Sequence, residues 1–271
     1  MAHKNKTNYS AYKARQKGSP SATAAPLRGQ HKRPDQVFSI PEADERLDDV
    51  FRNHGFADIT HEERRKFAEF YALLMAEQEH QNFTRLLKLR DIAIKHFIDS
   101  IIVARLTKLQ FPLMDVGTGP GFPGVPLKIM YPKDKILLAE GVQKRVAFLK
   151  KVREGLNLQN LDIIGRNINP FFVYPVMGVI TRAVEDMQNT LGNVLSSIQV
   201  GGRVYFMKGP GVEPEIPVAV KAWSEYYKLV EDHTYDLPHT TNHRRLVVFE
   251  KIKNAPLPNE EEQDFPLLEG E

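Results

Sequence analysis

The clearest chemistry in this sequence lies in one short run, Asp115-Val-Gly117-Thr-Gly119-Pro-Gly121-Phe-Pro-Gly124. Glycines at alternate positions let the backbone turn tightly and let a ligand approach without a Cβ in the way. An acid two residues ahead of the first glycine is placed to meet a cationic group on that ligand. A second acid, Glu140, ends the apolar stretch 135–139 and can accept hydrogen bonds from a pair of ribose hydroxyls. In a doubly wound sheet, ligands bind beyond the carboxyl ends of the strands, where such a run belongs.

Two ligand classes compete for a loop of this kind. Gly119-x-Gly121-x-x-Gly124 matches the dinucleotide fingerprint, which cradles a pyrophosphate at a helix N-terminus. The whole run also matches the Asp-x-Gly-x-Gly-x-Gly loop of class I methyltransferases, whose ligand, S-adenosylmethionine, has no phosphate. Pro123 and Pro126 remove N–H groups where a helix would present donors to phosphate, which favours the second class. Glu140 suits both ligands and does not separate them.

The elements that must carry these residues follow from periodicity. Phe67, Phe70, Tyr71 and Leu74 form one apolar stripe and predict a helix over 61–80. Ile94, Phe97, Ile98, Ile101 and Ile102 predict a second over 91–109. Short, nearly continuous apolar runs at 111–116, 135–139, 161–164, 176–181, 203–207 and 246–250 read as strands, with helices fitting at 143–155 and 183–199. Strand–helix alternation of this type implies an α/β fold with a mostly parallel sheet covered on both faces. The expected organisation is a basic disordered arm over 1–40, a small helical cap over 41–109, an α/β domain over 110–253 and an acidic tail over 254–271.

The 271 residues carry a formal net charge of +3, which hides a strong asymmetry. Residues 1–36 hold eight bases and one acid among small polar residues, a composition that resists folding and suits a polyanion partner. The last 18 residues hold six acids and no base. There is no cysteine, which excludes disulfides, zinc–thiolate sites, iron–sulfur clusters and a Cys nucleophile, and fits a reducing cytoplasm. No apolar run approaches the roughly 20 residues of a membrane span, and no apolar leader opens the chain. His239 and His243 lie four apart without an evident third ligand, so no metal site is expected.

Several segments together resemble the RsmG/GidB family, bacterial methyltransferases that modify guanine N7 in small-subunit (16S) ribosomal RNA. They are DVGTGPGFPGVP at 115–126, HFIDS at 96–100, GVQKRVAFL at 141–149, Thr181-Arg182-Ala183, Gly201-Gly-Arg203 followed by Met207-Lys-Gly209, and RLVVFE at 245–250. The resemblance implies a class I S-adenosylmethionine methyltransferase fold (Rossmann-like, seven-stranded) behind an N-terminal helical cap, acting as a cytoplasmic monomer on ribosomal RNA or the small subunit. It implies cofactor contacts at Asp115, Gly117, Gly119, Gly121, Phe122, Glu140, Asn167, Ile168 and Arg182. It places Arg182 at the cofactor or the target base; Lys208, ending the 203–207 strand, is expected against RNA phosphate or else solvated, and these are the two residues expected to serve the reaction. The expected pairing of His96 with Asp99, one turn apart, is structural. Methylation at N7 uses a lone pair that is already free, so no catalytic triad is needed, and the sequence offers none.

Overall fold

The computed structural model describes residues 33–34, 36–78, 80–182, 185–257 and 259. The basic arm lies almost wholly outside the described residues, and so does most of the acidic tail.

Three helical regions precede the sheet. Helix α1 (Ile40–Asn53) starts at Ser39, where the Glu42 carboxylate accepts both the backbone N–H (3.1 Å) and the hydroxyl (2.7 Å) of Ser39. This ties off the start of the helix, a common N-terminal signature. Its buried residues Ala43, Leu47, Val50 and Phe51 face helix α2 (His61–Gln78). Phe67, Phe70, Tyr71 and Leu74 of α2 are fully buried, as the stripe requires. The third region is not the single helix expected over 91–109. It runs as α3 (Leu89–Ile92), a π-helical segment Ala93–Ile98, and two short turns, α4 (Asp99–Ile101) and α5 (Val103–Leu106). Insertions of π-helix recur at functional sites, and this one ends at Asp99.

The sheet has seven strands in the order β3-β2-β1-β4-β5-β7-β6. Strands β1 (Leu113–Val116), β2 (Ile136–Ala139), β3 (Leu161–Ile164), β4 (Val176–Arg182) and β5 (Ile198–Lys208) are parallel. Strand β7 (His243–Lys251) runs antiparallel to both β5 and the outer β6 (Tyr227–Asp236). Helices α6 (Gly124–Met130) and α7 (Gln143–Gly155) follow β1 and β2, and α8 (Met187–Asn193) and α9 (Glu215–Trp223) follow β4 and β5. The helix expected over 183–199 is therefore shorter, because Ile198 already belongs to β5.

Successive strand residues enter opposite cores, as the pleat demands. Leu113, Ile136, Leu138, Tyr205 and Leu246 join the core made with α1, α2, α6 and α7. Met114, Leu137, Val204, Phe206 and Val247 join the core on the α8 and α9 face. The cap helices thus share one continuous apolar core with the sheet. Among the described residues no helix is long and apolar enough to cross a membrane.

Candidate functional site

Strand β1 is flanked by β2 on one side and β4 on the other, so the sheet order reverses at its carboxyl end. The glycine run leaves β1 at this switch point. Gly117 and Thr118 donate backbone N–H groups to the Ala139 carbonyl (2.9 and 3.1 Å), and Gly121 and Phe122 donate to the Thr118 carbonyl (3.0 and 2.8 Å). The glycines serve two different ends. A Cβ on Gly121 would stand 2.6 Å from Val125 Cγ2, and one on Gly124 would strike Leu138, so these two allow α6 to seat closely on the sheet. Gly119, at φ +61°, has nothing within 4 Å of its Cβ direction. It faces open space, where a ligand backbone can lie.

Two carboxylates hold this loop. Asp115 is fully buried, and its Oδ2 accepts the Gly124 N–H at 2.7 Å. Its Oδ1 and the Thr118 hydroxyl are also buried, and Thr118 draws on the carboxyl without either atom making a well-formed hydrogen bond among the described residues. Burial pushes the Asp115 carboxyl up to about 7, against the pull of Thr118, the Gly124 amide and Arg182. Glu140, 5% exposed, accepts from Gly119 N–H (2.9 Å) and Val142 N–H (2.8 Å), while Arg145 stands 3.6 Å away. Just beyond it, Gly141 lies so close to the Asn167 amide that a Cβ would collide with it. Asn167 is thereby brought beside Glu140, and Ile168 is buried next to it.

A cationic cluster borders the loop on the cap side. The Arg182 guanidinium, at the end of β4, donates to the Lys95 carbonyl (3.2 Å) and to Asp99 Oδ2 (3.2 Å). It also lies 3.2 Å from His96 Nδ1 and 5.3 Å over the Phe122 ring. Asp99, almost fully buried, accepts from Arg244 Nε through its other oxygen at 3.0 Å. His96 and Asp99 do not pair with each other as expected; both turn to Arg182. Burial, reinforced by the Arg182 charge, holds the His96 imidazole down to about 3, so it stays neutral and can accept from the guanidinium. Its Nε2 meets the Thr84 hydroxyl at 2.9 Å.

Phe122 is buried, stacks on His96 at 4.3 Å and packs against Phe70 and Phe97. Its ring fills the cap–loop junction. Lys208 stands apart from this constellation. Its ammonium, 11% exposed, bonds the Glu185 carbonyl (2.8 Å) and Glu215 (3.0 Å), so it is held by protein groups rather than presented to a phosphate. Arg244 and Thr84 complete the cluster without having been singled out by spacing. Arg244 is one of three consecutive basic residues, and which of the three turns inward depends on the β7 register.

The donors present fit S-adenosylmethionine. A buried carboxylate oxygen at Asp115 suits an ammonium, Gly119 leaves room for the chain, and Glu140 beside Asn167 offers polar groups of the kind that suit a nucleoside. Among the described residues no group of three metal-ligating side chains occurs.

Comparison with known proteins identifies the family. The family model GidB, rRNA small subunit methyltransferase G, matches residues 63–244. Ribosomal RNA small subunit methyltransferase G 2 of Bdellovibrio bacteriovorus is 66% identical over 241 residues, covering 89% of this chain and 94% of its own length. Ribosomal RNA small subunit methyltransferase G of Carboxydothermus hydrogenoformans is 35% identical over 222 residues, covering 78% of this chain and 92% of its own. With the glycine loop at the switch point, the seven-stranded sheet and the helical cap in place, the chain belongs to the rRNA small subunit methyltransferase G (GidB) family.

Proposed function

We propose that this protein transfers a methyl group from S-adenosylmethionine to N7 of a guanine in small-subunit (16S) ribosomal RNA. The observation that carries the reading is the cradle at Gly119, open on one side and bounded by Asp115 and Glu140. In this reading Asp115 Oδ1 receives the cofactor's ammonium, Glu140 takes the ribose hydroxyls, and Asn167 with Ile168 borders the adenine. Bound there, the cofactor supplies an electrophilic methyl on a sulfonium.

The protein's task is alignment. Guanine N7 presents a lone pair without deprotonation, so no base is required, and holding two reactants in line contributes about 7–11 kcal/mol. Positive charge appears on the purine as the sulfonium loses it, so bare cations at the ring would oppose the reaction. Arg182 meets this constraint because Asp99 and the Lys95 carbonyl offset its charge. The enzyme acts as a cytoplasmic monomer, on naked RNA or on the small subunit.

The decisive experiment maps N7-methylated guanines in ribosomal RNA from cells with and without the protein. One guanine should lose its mark when the protein is absent. An unchanged pattern would overturn the reading.

A further inference from the structure

A concavity of about 360 Å³ opens at the same carboxyl edge of the sheet, lined in part by Arg244, which Asp99 holds. Its walls include Pro210 and Glu213 after β5, Tyr235 and Asp236 at the end of β6, and His243 and Arg244 at the start of β7. Neither the cofactor reading nor the sequence motifs account for it. Its size lies within the range of small-ligand pockets.

We propose that this pocket receives the base of the guanosine to be methylated, with its Watson–Crick edge directed into the pocket and N7 left facing the cofactor cleft. The inference rests on the rRNA reading above and specifies its substrate side.

Three observations carry it. First, the pocket is joined to the cofactor cleft by a single carboxylate. Asp99 Oδ1 holds Arg244, which lines the pocket, and Asp99 Oδ2 holds Arg182, which lies over Phe122 of the glycine loop. A base in the pocket would therefore lie across this one ion-pair bridge from the glycine loop. Second, the Tyr235 hydroxyl is buried without a hydrogen-bond partner among the described residues. An unpaired buried hydroxyl is costly, and a turn of the Tyr235 side chain, which lines the pocket, would bring it to a partner on a ligand there. Third, the charges are sorted. Arg245 is tied to Asp232 and Glu213, and His243 to Asp236 at 2.6 Å, so the pocket is not a general phosphate sink. Arg244 spends Nε on Asp99 and Nη1 on the His243 carbonyl, and its Nη2 has no partner among the described residues.

Guanine offers matching chemistry. O6 is an acceptor, and N1–H and the N2 amino group are donors on its Watson–Crick edge. Arg244 Nη2 can donate to O6, and the carboxylates of Asp236 and Glu213, which keep spare lone pairs, can accept from N1–H and N2. The usual fork of Arg across O6 and N7 would block the methyl acceptor. A single donor to O6 with carboxylates along the rest of the Watson–Crick edge leaves N7 clear. Reading an exposed base edge in this way requires the guanine to be unstacked, the usual state in which RNA bases are recognised.

The test is single-turnover methylation of small subunits from cells lacking the enzyme, over a range of subunit concentrations, for wild type, Tyr235→Phe and Arg244→Gln. S-adenosylmethionine affinity is measured by calorimetry in parallel. The half-saturating subunit concentration should rise about tenfold in each variant, the value of a lost hydrogen bond, with cofactor affinity within twofold of wild type. Tyr235→Phe removes an unsatisfied hydroxyl, so its melting temperature should equal or exceed that of wild type. A merely structural tyrosine would move stability and leave RNA saturation alone. RNA carrying inosine at the modified position keeps N7 and O6 but lacks the N2 amino group, and should be a poorer substrate by a similar factor. Unchanged saturation in both variants, or equal use of inosine, would overturn the pocket assignment while leaving the enzyme's function standing. Wild-type protein that binds the cofactor but labels no RNA would overturn the rRNA reading itself, and the pocket with it.

Discussion

The Asp115 carboxylate accepts the backbone N–H of Gly124 at 2.7 Å, clamping the end of β1 to the first turn of α6, nine positions along the chain. The clamp uses one oxygen and leaves the other, buried and without a well-formed hydrogen bond, beside the open face of Gly119. The same residue therefore shapes the loop and holds an acceptor in reserve.

That arrangement separates the glycines experimentally. Gly119→Val places a branched side chain in the open cradle at φ +61°, and the strain costs about 1–2 kcal/mol. Calorimetry should show S-adenosylmethionine binding wild type and not this variant, with the fold retained in circular dichroism. Gly124→Ala drives a methyl into Leu138 and Asp115, and should lower the melting temperature more than Gly119→Val does. Equal cofactor affinity for Gly119→Val and wild type would remove the cradle from the active site, as would preferential binding of NAD.

Two buried groups titrate in opposite senses. Asp115 stands near 7 when folded against an ordinary 3.8, so between about pH 4 and 7 the folded state keeps a proton that the unfolded state sheds. Its contribution to stability falls as pH rises through that window. His96 stands near 3 against an ordinary 6.5, so between about pH 3 and 6.5 the unfolded state binds the extra proton and stability rises with pH. Over pH 4–6.5 the two oppose each other. In urea titrations, Asp115→Asn should make stability climb more steeply with pH, and His96→Gln should tilt the profile downward. Each change approaches about 1.4 kcal/mol per pH unit at most. Parallel profiles for the three proteins would show that neither group is shifted.

Arg182 supplies a third test. Replacing it with Lys keeps a charge and loses the planar fork that reaches Lys95, His96 and Asp99 together. Single-turnover methylation should drop by at least tenfold. Asp99→Asn leaves two guanidinium groups without their shared counter-charge, and should cost about 3–5 kcal/mol of stability. Full activity in Arg182→Lys would reduce the cluster to a cap tether.

The basic arm gives a fourth. Its net charge of +7 over residues 1–36 suits phosphate contacts, which release counterions. RNA affinity of the full chain should fall steeply with salt, and deleting residues 1–36 should flatten that slope without moving the methylated guanine, since phosphate contacts position but do not specify. The control is a second deletion that also removes the acidic tail. An identical slope for full-length and shortened protein would exclude arm–RNA contact.

The parallel half of the sheet was legible because β1, β2 and β4 are buried on both faces and read as unbroken apolar runs. The outer strand β6 was not. Tyr227–Asp236 has one exposed face and reads Lys-Leu-Val-Glu-Asp-His, poor strand grammar that only pairing with β7 makes extended. Helix α1 escaped for a related reason, since its four buried residues are scattered among acids and arginines. At the site, spacing led to the loop and Glu140, because these are local in sequence, and the family resemblance added Arg182. It could not reveal that Asp99 would serve Arg182 and Arg244 together, because those partners lie 83 and 145 residues away. The preference of Lys208 for Glu215 likewise depends on where α9 begins.

Phe122 belongs to the glycine loop by sequence and to the cap by packing. Stacked on His96 and set against Phe70, it makes the ligand loop complete only when the cap helices are beneath it. The two parts are consequently not interchangeable modules. Grafting this sheet under the cap of a distant methyltransferase would need Phe70, Phe97 and His96 carried across with it, or a small residue in place of Phe122. Such a chimera, built without that compensation, would have a loop of correct sequence and no seat for it.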